Sequence, residues 1–147
     1  MKKILFLTLT ALLLNGCSDK NNYEAAVLAE LQREKNSQDP KDYNVPIEKM
    51  TECIVETSSG NMPGLFPLDP ARLTAYRNYA KMLMLTESAD PKKTMEELRN
   101  DFGSPKELAA ARSNYIESEM DCLASFLANT EEGEKAASDK AASDKAQ

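Results

Sequence analysis

SPKELAAARSNYIESEMDCLASFLAN, residues 104–129, carries the strongest helix signal in the chain. Ser104 and Glu107 form a capping box, in which the hydroxyl and the carboxylate satisfy each other's orphan backbone N–H groups. Pro105 stands at the first helical position, where its missing N–H is no loss. Beyond the box, Leu108, Ala111, Tyr115, Cys122 and Phe126 recur at helical spacing. Ile116, Met120, Leu123 and Leu127 form a second stripe beside the first. A helix over Pro105 to about Asn129 follows, with one broad apolar face.

The same punctuation repeats upstream. Asp90-Pro91 and Asp69-Pro70 each place a capping carboxylate before a first-turn proline. The helix from Pro91 points Met95, Leu98 and Phe102 inward and stops at Gly103. The one from Pro70 carries Leu73, Tyr76, Ala80, Leu83 and Met84 on its apolar side. Pro46 suits the first turn of another helix, in which Ile47, Met50, Cys53 and Ile54 share a face and Ser58-Ser59-Gly60 marks the end. Asn22 is a candidate cap for a helix from Tyr23 to Lys35, with Tyr23, Val27, Leu28 and Leu31 on one side. No segment alternates apolar and polar residues as a half-buried strand does. The expected fold is all-α: a bundle of four to five helices, with residues 45–129 as the compact part and 17–44 as an N-terminal tether with a short helix. Asn36 to Asn44, polar and containing Pro40, reads as a linker. Residues 130–147 repeat Lys-Ala-Ala-Ser-Asp, hold no large apolar side chain and are expected to be a disordered tail.

Met1-Lys2-Lys3 is followed by an apolar run, Ile4 to Leu14, broken only by Thr8 and Thr10. Such a run rises ~16 Å as a helix, against ~30 Å of bilayer hydrocarbon, and suits a secretory h-region. Leu14-Asn15-Gly16-Cys17 then resembles a lipobox, the cleavage motif of bacterial lipoproteins, although Asn15 is a less usual occupant of its position. The resemblance covers residues 1–18. It implies that residues 1–16 are a cleaved signal peptide and that lipid on Cys17 anchors the mature chain to a membrane. Ser18, in place of the aspartate that commonly retains such proteins in the inner membrane, favours the periplasmic face of the outer membrane in a two-membrane cell. The competing reading is an ordinary signal peptide with a chance cysteine.

Export would leave Cys53 and Cys122 in an oxidising compartment, where a pair is expected to bridge. The loop so closed, of roughly 70 residues, corresponds to ~4 kcal/mol of chain entropy. Two separate buried thiols, or a redox-active pair, are the alternatives; no Cys-x-x-Cys spacing favours the last.

Eighteen basic and 24 acidic side chains, with no histidine and no tryptophan, narrow the chemistry. Without Lys2 and Lys3 the balance becomes 16 against 24, or −8. Such a surface repels phosphate backbones, so no nucleic-acid partner is expected. The commonest general base and transition-metal ligand is missing, and no catalytic set, metal site or cofactor motif is read. Glu96, Glu97 and Asp101 read as a solvated helix face, and Ser58-Ser59-Gly60 lacks a nucleophile elbow. Met50, Met82, Met84 and Met95 read as core filler rather than an adaptable groove.

The connection Gly60-Asn61-Met62-Pro63-Gly64-Leu65-Phe66-Pro67-Leu68 combines turn formers with large apolar residues. Met62, Leu65 and Phe66 are expected to pack across one end of the bundle, the alternative being presentation to a partner. The whole plan suggests a non-catalytic accessory module that binds another envelope protein. Alternatives are an inhibitor or immunity-type lipoprotein blocking a periplasmic enzyme, and an escort of a secretion component, since in size, anchor and architecture the chain resembles secretion pilotins.

Overall fold

The computed structural model describes residues 2–36 and 45–144, with side chains over 18–36 and 45–129. Signal-peptide and Cys17 side chains, most of the expected linker, and the side chains of the tail lie outside the described residues. Five helices follow in order: α1 (Lys2–Lys35), α2 (Ile47–Gly60), α3 (Pro70–Leu83), α4 (Pro91–Asp101) and α5 (Pro105–Asp144). A single 3-10 turn, Leu85–Glu87, joins α3 to α4. There is no strand among the described residues, and the all-α bundle is as expected.

The caps explain where the helices begin. The Asp69 carboxylate accepts the Ala71 N–H at 2.9 Å, and that of Asp90 accepts the Lys93 N–H at 3.0 Å. The Ser104 hydroxyl accepts the Glu107 N–H at 3.1 Å. Gly103, at φ +89°, takes the left-handed conformation that lets the chain turn from α4 into α5. Pro46 sits one place earlier than expected, as the residue before α2 rather than in its first turn.

Two expectations are revised at the N-terminal side. Residues 18–22 are helical rather than a loose tether, and Asn22 lies inside α1 instead of capping it. Within this stretch Asp19 pairs with Arg77 of α3 at 2.5 Å. The first helix is also no appendage to a core of residues 45–129. Tyr23, Ala26, Val27 and Leu31 are all buried, and α1 packs along α3 and against α2. Tyr23 is the hinge of this packing: its ring stacks on Tyr76 at 5.9 Å and meets Tyr79 edge-on at 5.7 Å. Its hydroxyl donates to Ser58 Oγ at 2.8 Å, and the Ser58 hydroxyl in turn donates to the Ile54 carbonyl at 2.7 Å. Burial holds the Tyr23 phenol far above its ordinary range, keeping it neutral. Offset aromatic pairs of this kind add about 0.5–1.5 kcal/mol beyond the area they bury.

Cys53 and Cys122 form the disulfide, with Cα atoms 6.0 Å apart, fastening α2 to α5. Leu98 of α4 and Tyr115 of α5 complete the core. On α5, Ala111, Tyr115 and Cys122 are buried, while Ile116, Met120 and Leu127 of the second stripe are exposed. The α5 backbone continues helically past Asn129 to Asp144, as alanine- and lysine-rich sequence readily does.

Candidate functional site

The loop between α2 and α3 is built from its ends inward. Gly64 takes φ +100°, and a Cβ there would meet Arg72 Cβ at 2.8 Å and Arg72 N at 2.9 Å, so only glycine fits. The close approach lets the Arg72 guanidinium gather three backbone carbonyls. It donates to Pro63 O at 2.9 Å, to Gly64 O at 2.7 Å, and to Ser59 O at the end of α2. From the other side, the capping carboxylate of Asp69 also accepts the Leu65 N–H at 3.0 Å, while the Asp69 N–H donates to Phe66 O at 3.0 Å. The Leu65 and Ala71 amides together hold the Asp69 carboxyl below its ordinary 3.8.

This scaffold divides the three loop residues singled out from sequence. Met62 is buried and belongs to the core. Leu65 and Phe66 point outward, with 96% and 56% of their surface exposed, and Leu68 joins them at 45%. Packing under the bundle therefore holds for Met62 alone. Arg72 and Asp69 position the exposed pair. Asp69 was legible as a cap, but nothing local marked Arg72.

Leu65, Phe66 and Pro67 wall one end of an open groove of about 800 Å³ between α1 and α2. Val55 and Tyr76 lie in its lining, with Lys20 and Glu24 on the α1 side. Its α2 side is a row of carboxylates, Glu48, Glu52 and Glu56, one helical turn apart and exposed. None of the three has an ion-pair partner among the described residues. Of the two cations in the lining, Arg72 is engaged by the loop carbonyls and Lys20 stands on the α1 side.

The chain matches no family model, no curated protein and no solved structure. Among the described residues, no helix is long and apolar enough to cross a membrane, and no three His, Cys, Asp or Glu side chains converge as a metal site would require.

Other residues weighed for chemistry have structural employment. Ser58 is fully buried, bonded to Tyr23 and to the Ile54 carbonyl. Glu97 and Asp101 do converge, but on Lys81 of α3, each at 2.8 Å, and Glu96 reaches Arg99 at 3.6 Å. These two carboxylates hold the Lys81 ammonium above its ordinary pKa. Met50 and Met82 are in the core, with Met84 packed against it. Asn114 donates to the Tyr79 hydroxyl and to the Ser58 carbonyl, both at 3.0 Å, closing a polar network that ties α5 to α2 and α3.

Proposed function

We propose that this chain is a lipid-anchored, non-catalytic protein of the cell envelope, held to a membrane through Cys17. In this reading it binds a second envelope protein along the acidic groove of α2. The lipobox-like Leu14-Asn15-Gly16-Cys17 supports the anchor, and Ser18 favours the outer membrane and its periplasmic face. One observation carries the binding role: Glu48, Glu52 and Glu56 form a row beside an open groove, none with an ion-pair partner among the described residues.

Like charges four residues apart destabilise a helix by a few tenths of a kcal/mol per pair. Glu48 is compensated by its place in the first turn of α2, but Glu52 and Glu56 are beyond that relief. On α4, by contrast, Glu97 and Asp101 are balanced by Lys81. A row left unpaired at a local cost is suited to a basic surface brought by a partner, where complementary charge sets rate and register more than raw affinity.

A photoreactive residue at Glu52 in living cells tests the reading. The expected product is an adduct with one envelope protein, the contacting peptide rich in Lys or Arg, and Glu48→Gln/Glu56→Gln should deplete it. An adduct whose contacting peptide is acidic or apolar, or no adduct at all, would sink the proposal. The same acidic row also suits an inhibitor of a periplasmic enzyme with a basic cleft. In that case the adduct partner is an enzyme, and deleting the chain sensitises cells to it.

A further inference from the structure

We propose that the loop tip Leu65-Phe66-Pro67-Leu68 is a second membrane contact, seated in the lipid interface beside the anchor. The proposal rests on the reading of Cys17 as the point of lipid attachment.

Position comes first. Lys20, which lines the groove with Leu65 and Phe66, follows Cys17 by three residues on the unbroken helix α1, or ~5 Å of rise. Helices α1 and α3 run in the same direction. Near its start, α1 meets α3 through Asp19 with Arg77 and Tyr23 with Tyr76; farther along, Arg33 reaches Thr86 at 2.9 Å. The loop that enters α3 therefore lies at the Cys17 end of the bundle. Helix α2 runs the opposite way, since Tyr23 bonds Ser58 in its last turns. Glu48, at the far end of α2, is consequently ~18 Å of helix rise from Gly60 and the loop. The groove's acidic row thus climbs away from the lipid while its apolar wall stays next to it.

The chemistry of the tip points the same way. Four consecutive residues carry no charge and no polar side chain, and Leu65, at 96% exposure, is the most exposed large apolar side chain among the described residues. Backbone polar groups entering an apolar medium must arrive already bonded, because lipid tails offer no partners. Here the carbonyls of Pro63 and Gly64 are held by Arg72, Leu65 N–H and Phe66 O are held by Asp69, and Pro67 has no N–H. Apolar side chains on a tip held at its base by Arg72 and Asp69 are suited to the headgroup–acyl boundary, where headgroups and water still reach the remaining backbone groups of residues 65–68.

The chain contains no tryptophan, so Leu65→Trp gives a single reporter. The full-length gene is expressed, and the protein extracted from its membranes is returned to vesicles of phosphatidylethanolamine and phosphatidylglycerol. Flotation reports the anchor and tryptophan emission reports the loop. Emission from Leu65→Trp should shift to the blue and lose roughly half its intensity to lipids brominated in the upper acyl chain, the depth an interfacial segment reaches. Met120→Trp, on the exposed face of α5, should show neither change. Adding Phe66→Ser/Leu68→Ser to Leu65→Trp should remove the quenching without moving the melting curve.

Flotation with water-like, unquenched emission at position 65 would overturn this proposal and leave the anchor standing. Protection of that tryptophan from iodide only when other envelope proteins are present would assign the loop to a protein partner, and overturns it too. A chain that does not float overturns the anchor and the loop contact together.

Discussion

Arg72 and Asp69 fix the exposed loop, and their roles are separable by experiment. Replacing the guanidinium by Arg72→Met frees three carbonyls at once. Bonds to a charged donor contribute ~1.5–3 kcal/mol each when buried, and these are only partly so; a total loss of about 2 kcal/mol is expected from chemical denaturation. Amide exchange should accelerate first over residues 63–66. An unchanged exchange pattern would mean that the loop holds its shape without Arg72. Asp69 adds a pH signature. Its folded carboxyl lies below the ordinary 3.8 because the Leu65 and Ala71 N–H groups favour the ionised form. A depressed folded value means the contribution is complete above pH 3.8 and disappears as pH falls through the lowered value. The Leu65 amide should therefore be insensitive to pH near neutrality and lose protection only in that acid window, whereas Asp69→Ala should lose it at neutral pH. A Leu65 amide that titrates near pH 6 would contradict this assignment. Neither residue's second task was legible in the sequence. The cap at Asp69 is a local rule, but Arg72 reaches carbonyls 8, 9 and 13 residues away, and only the path of the loop brings them together.

Helices were more legible than the places they occupy. The starts of α3, α4 and α5 follow from Asp-Pro, Asp-Pro and Ser-Pro-Lys-Glu, because caps act through covalent neighbours. From sequence, helix α1 reads as an appendage, since a polar stretch with a proline separates it from α2 and resembles a linker. Its stripe of Tyr23, Val27 and Leu31 was the signal to weigh, because an apolar face that size needs a surface to cover it. Tyr23 is fully buried between Ser58, Tyr76 and Tyr79. Truncation at such a site costs about 3–5 kcal/mol, a large share of the net stability of a domain this size. Tyr23→Ala should therefore bring the full chain close to unfolding, while Tyr23→Phe, which loses one hydrogen bond, should cost about 1 kcal/mol. Urea titrations of the two variants decide between a core helix and a tether. A tether would leave the midpoint unmoved in both.

Across the whole molecule, one covalent link and one aromatic junction divide the work. The disulfide closes a loop spanning α3 and α4, its cysteines 69 positions apart in the sequence. Helix α1 lies outside that loop and is held to the bundle by packing, the Tyr23–Ser58 hydrogen bond and ion pairs such as Asp19–Arg77. The pairing was legible once export was inferred, because two cysteines leave one connectivity; which helix faces would meet was not. Losing the link as Cys53→Ser/Cys122→Ser should cost about 4 kcal/mol through the freed entropy of the unfolded chain. At roughly 4 °C or more per kcal/mol for a domain of this length, the melting temperature should fall by about 15 °C or more. Because α1 shares the tyrosine core with α2 and α3, it should still unfold with them. Tyrosine fluorescence and far-ultraviolet circular dichroism should give coincident transitions with the bridge present or absent. Two separated transitions in the oxidised chain would show α1 to be an independent unit, and the rigid connection between the anchor end and the groove would then be lost. Coincident transitions at a lowered midpoint would instead place the bridge in the unfolded-state balance and the aromatic junction in the cooperativity.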